Sequence, residues 1–355
     1  MHQRRIKTQI PLGGGSHILK VKNKKLFEKI ISLENLFSAW RGFKKGKTNK
    51  KDVQNFEFNL ENNLFRLHEE LKNNNYQHSH YTAFNVSDPK LRRIHKATVR
   101  DRVLHHAIFR LLYPLFDKSF IYGSYSCRTG KGTHRAVKWL EKFCRQLSKN
   151  NTQNIFALKC DIKKFFDSIN QDILLKLIRN KITDKNSIWL IEKIIKSFPR
   201  GLPLGNVTSQ LFANIYLNEL DQFAKHKLKE KYYLRYCDDF IILGKDEKQL
   251  LGLIKPLNDF LKENLKLSLH PDKIILRKFR QGIDFLGYVV LPHHRVLRTK
   301  TKRRILKKLF GKFRKLESGS ISKDSFNQSK QSYLGILKHC KGRKIRRKIE
   351  EMAMA

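Results

Sequence analysis

Three aspartates carry the most chemical meaning in this sequence. Asp238 and Asp239 stand side by side in Tyr233-Leu-Arg-Tyr-Cys-Asp-Asp-Phe-Ile-Ile-Leu243, between two apolar, β-prone runs. In a strand interior successive side chains face opposite ways, so one acid of the doublet would be driven into the core. At the tip of a tight hairpin both lie near the solvent edge of a sheet, where their oxygens suit a hard divalent ion such as Mg²⁺. Two solvated acids in a polar turn would leave the same trace. A third acid, Asp161, ends a second β-like run, Ile155-Phe-Ala-Leu-Lys-Cys160. A strand ended by one acid, beside a hairpin tipped by two, can bring them to one sheet edge. That arrangement suits two-metal phosphoryl transfer, in which ions about 3.5–4 Å apart activate the attacking oxygen and stabilise the leaving one.

Acids are scarce elsewhere. Lys and Arg number 75 against 31 Asp and Glu, a net charge of +44. Each phosphate neutralised by such a surface releases counterions, so nucleic acid is the first partner to expect. Part of the charge is ordinary solvated surface. A membrane fits poorly: no apolar run approaches the ~20 residues of a spanning helix. The start, Met1-His-Gln-Arg-Arg-Ile-Lys-Thr-Gln9, also lacks the apolar core of a signal peptide. The 5 cysteines show no C-x-x-C pair, as expected of reduced thiols in a cytoplasmic protein. A chain of 355 residues that is 40% hydrophobic, with 24 Phe, can bury a sizeable core in two or three subdomains.

Periodicity outlines the elements that must hold the acids. Residues 1–22, with Pro11 and Gly13-Gly14-Gly15, read as a flexible lead-in. Apolar spacings of three and four predict helices within 23–75, 100–116, 133–147, 171–180, 187–198, 208–225 and 247–265. Strands are predicted at 81–86, ended by the turn Ser87-Asp88-Pro89, at 155–160, and on both sides of the acid doublet. After Pro292 the chain becomes strongly basic and helical. The order strand–Asp161–helices–hairpin–helix–strand describes an α+β fold with a split β-α-β plan and antiparallel pairing. Gly130-Lys131-Gly132-Thr133 is no P-loop, since Tyr125 stands where that motif needs its first glycine. The doublets His105-His106 and His293-His294 read as packing or nucleic-acid contacts rather than metal ligands.

At this point the chain resembles the reverse transcriptases. Phe156-Ala-Leu-Lys-Cys-Asp161-Ile-Lys-Lys-Phe-Phe166 resembles their motif A, Gly205-Asn-Val-Thr-Ser209-Gln210 motif B, and Tyr236-Cys-Asp-Asp239 the Y-x-D-D box of motif C. Leu267-Ser-Leu-His-Pro-Asp-Lys273 is similar to motif D, and Gly282-Ile-Asp-Phe285-Leu-Gly287-Tyr288 to the motif E primer grip. Asp88-Pro-Lys90-Leu-Arg92-Arg-Ile94 fits a fingers motif. The resemblance runs in order from Phe37 onward. A finer one is to the enzymes of diversity-generating retroelements. It rests on Leu204-Gly205-x-x-x-Ser209-Gln210, where most bacterial relatives have Q-G-x-x-x-S-P, on Ser124-Tyr-Ser-Cys-Arg-Thr-Gly-Lys-Gly-Thr-His-Arg-Ala136, and on the run Gly282–Arg298 with its Pro292-His-His-Arg295. Leu91 and His95 depart from that family's usual residues.

The resemblance implies a right-hand polymerase fold: split β-α-β palm over 131–290 with a fingers segment at 171–205 interleaved, helical fingers over 23–130, and a basic helical thumb over 291–355. It implies an RNA-directed DNA polymerase with two Mg²⁺ ions, or Mn²⁺, held by Asp161, Asp238, Asp239 and the Ile162 carbonyl. Lys90 and Arg92 would clamp the triphosphate. Lys164, Phe165, Phe166, Leu204, Gly205 and Gln210 would line the nucleotide pocket, with Phe166 excluding a ribose 2′-hydroxyl. Lys273 would serve the leaving pyrophosphate, and Phe285, Gly287 and Tyr288 would grip the primer. Leucine at 204 cannot hydrogen-bond to a nascent pair, which implies relaxed fidelity and mutagenesis at template adenines. The implied partners are template RNA, a DNA or RNA primer, dNTPs and a small basic accessory protein, with no membrane. A group II intron-like or orphan bacterial reverse transcriptase is the alternative within enzymes. A catalytically silent RNA-binding protein of the same fold is the alternative outside them.

Overall fold

The computed structural model describes residues 25–87 and 90–351. The expected lead-in over 1–22, and Asp88 and Pro89 of the first predicted turn, lie outside those residues.

The basic N-terminal stretch folds as α1 (Leu26–Ile31), α2 (Leu33–Lys44), α3 (Lys51–Phe58) and α4 (Leu60–Lys72). The Ser32 side chain caps α2 by accepting from the Asn35 N–H, and Leu36, Ala39, Trp40 and Phe43 form its buried stripe. A two-stranded ribbon follows, β1 (Thr82–Val86) and β2 (Arg92–Lys96), and then α5 (Val99–Asp117). Strand β2 is not legible in the sequence: Arg-Arg-Ile-His-Lys has one apolar side chain and no alternation to read.

Next come α6 (Thr133–Leu147), β3 (Phe156–Asp161), the short α7 (Phe165–Ser168), α8 (Gln171–Arg179), α9 (Lys185–Lys196) and α10 (Val207–Gln222). The hairpin strands are β4 (Tyr233–Tyr236) and β5 (Asp239–Gly244). The helix expected over 247–265 is two, α11 (Glu247–Gly252) and α12 (Ile254–Leu265). Pro256 explains the break, because its ring would meet the carbonyl of Gly252 in a continuous helix, whereas the first turn of a new helix accommodates it. The chain ends with β6 (Ile275–Lys278), β7 (Ile283–Phe285), β8 (Tyr288–Val290), β9 (Arg295–Leu297), α13 (Thr299–Glu317), α14 (Lys323–Leu337) and α15 (Arg343–Glu351).

The chain divides into two compact units that it crosses between repeatedly. The first comprises the described part of Met1–Arg128 with Asp161–Lys231 and Lys255–Pro271. Here α5 packs against α2 and α10, and α8 against α9 and α10. Helix α10 is buried nearly all round; its Tyr216 hydroxyl donates to the Leu265 carbonyl at 2.6 Å and accepts from the Asn170 N–H at 3.3 Å. The second unit comprises Thr129–Cys160, Tyr232–Ile254 and the described part of Asp272–Ala355. It carries a sheet of order β4-β5-β3-β6, with α6 against β4 and β5, and a smaller sheet β7-β8-β9. The basic helices α13, α14 and α15 pack on one another in the same unit.

Candidate active site

The acid doublet sits where a two-residue turn joins β4 to β5. The register pairs Tyr236 with Asp239, so Cys237 and Asp238 form the turn and Asp239 opens the strand. Cys237 takes the left-handed conformation (φ 57°) that such turns demand, at a strain of about 1–3 kcal/mol for a residue with a Cβ. The buried Arg235 secures it: its guanidinium donates to the Cys237 carbonyl at 3.0 Å. Thr133, the first residue of α6, donates to the Tyr236 hydroxyl at 3.3 Å.

Asp239 faces a lysine. The Lys159 ammonium of β3 stands 3.2 Å from Asp239 Oδ2, and also donates to the Asp284 carbonyl of β7 at 3.1 Å. Both partners are largely buried, so this pair counts for more than a surface salt bridge. Burial, reinforced by the Asp239 charge, pushes the neighbouring Cys160 thiol up to about 12 and keeps it protonated. Sequence reading missed Lys159 and Arg235. Their signal was a lone cation inside each apolar strand, which has to find an acceptor.

The exit of β3 is organised within the first unit. The Asp161 carbonyl accepts from the His270 N–H at 2.8 Å, Ile162 bridges to Leu269, and the Lys163 N–H donates to the Ser268 carbonyl at 3.0 Å. Residues 268–270 of the stretch expected as motif D, 267–273, thus strap this exit. Lys164 then turns the chain in a left-handed conformation (φ 44°) into α7. Phe165 is buried, whereas Phe166 is half-buried with its ring edge-on to Phe165 at 5.3 Å. The loop before α10 closes on Phe166: the Leu202 N–H donates to its carbonyl at 2.9 Å, and a Cβ on Gly201 (φ 66°) would stand 2.2 Å from that oxygen. Gln171 Nε2 pins the same loop from the carbonyls of Phe198 (2.8 Å) and Gly201 (3.0 Å).

Strand β2 docks on the next part of this loop. The His95 N–H donates to the Leu204 carbonyl at 2.9 Å, and Gly205 comes so close that a Cβ would lie 2.9 Å from Ile94 Cγ2. The ribbon that carries Arg92, with Lys90 in its turn, is therefore fastened to the residues expected to line the nucleotide pocket. Lys90 and Arg92 are exposed, Leu204 is half-buried, and Ser209 and Gln210 lie in the first turn of α10, buried and exposed respectively.

In the second unit, β7 and β8 pair Phe285 with Tyr288 across a two-residue turn. Both turn residues, Leu286 (φ 50°) and Gly287 (φ 87°), are left-handed, as a type I′ turn requires. Phe285 and Tyr288 are buried, and the Tyr288 hydroxyl donates to the Ile336 carbonyl of α14 at 3.3 Å. Lys273 closes a short 3₁₀ turn over Pro271–Lys273.

The site residues read from sequence thus fall in two groups. The first unit brings together Ile162, Lys164, Phe165, Phe166, Leu204 and Gly205 with the ribbon of Arg92. The second holds Asp238, Asp239, Phe285, Gly287 and Tyr288, with the Lys159 ammonium against Asp239 and over the Phe285 ring. Asp161 is the last residue of β3, the neighbour of β5 in the sheet. Among the described residues no cluster of three or more His, Cys, Asp or Glu is arranged to hold a metal ion. Mg²⁺ does not demand one: it binds through one or two carboxylates, completed by substrate phosphates and water. Carboxylates at a strand end and in a hairpin turn supply the oxygen donors it prefers, so the residues fit the ion.

The chain matches the family described as reverse transcriptase (RNA-dependent DNA polymerase) over residues 71–290. It is 26% identical to protein YkfC of Escherichia coli over 259 residues, covering 61% of this chain and 66% of that one. To the group II intron-encoded protein LtrA of Lactococcus lactis it is 26% identical over 312 residues, covering 68% of this chain and 48% of that one. The chain spans less than two thirds of the length of these relatives. It also aligns with the apo telomerase of Candida tropicalis at 14% identity and a TM-score of 0.48, over 67% of this chain and 52% of that one.

Proposed function

The chain belongs to the reverse transcriptase family, and we propose that it copies an RNA template into DNA at a site built from Asp161, Asp238 and Asp239. The observation that carries this reading is the placement of the acids: Asp239 opens β5 with its carboxylate 3.2 Å from the Lys159 ammonium, Asp238 forms the β4–β5 turn, and Asp161 ends β3, the strand beside β5. Asp161 and Asp238 would hold Mg²⁺, with the Ile162 carbonyl adjacent, and Asp239 would set the local field. When bound, two such ions supply activation of the primer 3′-oxygen and charge neutralisation at the leaving phosphate. The chain's own residues do the rest. Lys90 and Arg92 bind the triphosphate by point charge and planar fork. Phe166, fixed through its backbone by Gly201 and Leu202, excludes a 2′-hydroxyl, and Lys273 protonates the leaving pyrophosphate. Phe285, Gly287 and Tyr288 position the primer end.

Extension of oligo(dT) on poly(rA) with Mg²⁺ tests the reading. The wild-type chain extends the primer, and purified Asp238→Asn does not, while still binding RNA. Extension by that variant overturns the assignment, and a wild-type chain that binds RNA without extending identifies a silent RNA-binding protein.

Two finer readings differ in purpose. Leu204, Ser209 and Gln210 support a diversity-generating retroelement enzyme that copies a template-repeat RNA and works with a small basic accessory protein in the cytoplasm. The relative encoded by a group II intron favours a group II intron-like reverse transcriptase. Imperfect repeats in neighbouring DNA, differing at adenines, select the first. No described helix is long and apolar enough to cross a membrane.

A further inference from the structure

The second unit contains a cavity of about 470 Å³ that no step of the polymerase reading uses. It lies at the end of β8 opposite the Leu286 and Gly287 turn. One wall is the last part of α6 and the loop after it, with Arg145, Asn150 and Asn151; the other is Phe279 and the β8–β9 turn, with Pro292, His293 and His294. The volume falls within the roughly 300–1,000 Å³ of small-ligand sites.

The walls are held rather than loosely apposed. Asn151 Nδ2 donates to the Pro292 carbonyl at 2.6 Å, the Phe279 N–H to the Ile155 carbonyl at 2.9 Å, and the Leu291 N–H to the His294 carbonyl at 2.9 Å. The loop itself is strained: Lys149, Asn150 and Asn151 are successively left-handed (φ 47°, 58° and 71°). Backbone of that kind costs about 1 kcal/mol or more per residue and persists where the surroundings enforce it.

The polar groups point to an anion. Arg145, His293 and His294 are exposed, and among the described residues their side chains form no hydrogen bond and no ion pair within 4 Å. The one acid in the wall, Glu141, is engaged by Arg295 at 3.3 Å and also feels the charges of Lys138 and Arg145. Leu291 and Pro292 are half-exposed and add an apolar edge, with Phe279 and Val290 buried behind it, so the cavity offers a guanidinium fork and two imidazoles beside a small apolar surface.

We propose that this cavity takes one unstacked nucleotide of a single-stranded nucleic acid, its base against Leu291, Pro292 and the histidine faces and its phosphate at Arg145. Concavity selects a single strand, because a duplex keeps its bases stacked and cannot place one in a pocket. Arginine matches phosphate bidentately, and the imidazole faces stack on bases. The inference rests on the polymerase reading for the identity of the polyanion. It assigns a hold on the unpaired template, apart from the hybrid.

The test uses the full chain and its Arg145→Ala/His293→Ala/His294→Ala variant, in which all three altered residues are exposed. Fluorescence anisotropy with a labelled oligouridylate is expected to show binding weakened about tenfold or more. The slope of log affinity against log salt is expected to become shallower by about one. Extension of a pre-annealed poly(rA)/oligo(dT) hybrid at saturation is expected to stay at the wild-type rate. Equal affinity of variant and wild type for oligouridylate overturns the proposal. So does displacement of the oligonucleotide by UMP at equal phosphate concentration, which would make the cavity a site for a free nucleotide. An inactive wild-type chain that still shows the difference in oligouridylate affinity refutes the polymerase reading and leaves the cavity assignment standing.

Discussion

The Lys159 ammonium lies 3.2 Å from Asp239 Oδ2 and 3.1 Å from the Asp284 carbonyl oxygen, so one side chain joins β3, β5 and β7. The two acids of the doublet stand on different backbone: Asp239 opens β5 beside that ammonium, and Asp238 sits in the turn that Arg235 braces. Asp238→Asn should therefore abolish extension, and Asp239→Asn should slow it without abolishing it. Steady-state extension rates of the two purified variants check the order.

Lys159→Met removes the cation and leaves the partly buried Asp239 carboxylate to be compensated by other groups. Losing one partner of such a pair is expected to cost about 1–3 kcal/mol, read as a lower denaturation midpoint. Lys159→Arg, which keeps the charge, should restore the midpoint. An unchanged midpoint in Lys159→Met would show that the contact with Asp239 contributes nothing to stability.

Gly201→Ala tests the link between the loop and Phe166. The new Cβ would stand 2.2 Å from the Phe166 carbonyl oxygen at a φ of 66°, so Phe166 has to move. Gly46 is a matched control: its φ is 69°, and a Cβ there meets nothing within 4 Å. Gly46→Ala should cost about 1 kcal/mol from conformation alone, and Gly201→Ala about 2 kcal/mol or more. If Phe166 excludes the 2′-hydroxyl, Gly201→Ala should also admit ribonucleotides, and Phe166→Ala should admit them more fully. Competition between dTTP and UTP measures both.

What the sequence made legible follows from how local each signal is. The helix over Thr133–Leu147 is predicted and found with the same bounds, because its apolar residues recur at helical spacing and a glycine precedes it. The hairpin is legible from two β-prone runs around the acids. The exposed ribbon strand β2 and the short β9 are not, since neither alternates apolar with polar residues long enough to register. The same holds for the site. Its acids stand out as charges in apolar runs, but the partner of Lys159 is 80 residues away and follows only from the sheet order.

The buried histidines set a pH dependence. Burial, reinforced by His78, lowers the His105 imidazole to about 3, and burial with Lys47 and Arg102 lowers His106 to about 4. Both rings are held neutral in the fold, so at acid pH unfolding takes up protons. Their contribution is intact above about 6.5 and is lost as the pH falls toward the folded values. The unfolding free energy should drop by up to about 1.4 kcal/mol per pH unit for each ring below about pH 6. Urea titrations at several pH values measure the slope, and His106→Gln should flatten it.

Leu204 offers the sharpest test of fidelity, because its backbone and side chain are separable. The carbonyl is fixed by the His95 N–H at 2.9 Å, and Gly205 packs against Ile94 whatever stands at 204, so Leu204→Gln changes only what the side chain presents. An apolar wall discriminates among substrates by roughly 10²-fold, whereas a hydrogen-bonding site reaches about 10⁴–10⁵. One net hydrogen bond of about 1.4 kcal/mol to the nascent pair would change selectivity about tenfold. In Leu204→Gln, misincorporation opposite template adenine should fall by about that factor, while misincorporation opposite the other three bases changes less. Sequencing of cDNA copied from a defined RNA reads both rates in one experiment. An unaltered spectrum would remove Leu204 from the fidelity pocket and favour the group II intron-like reading.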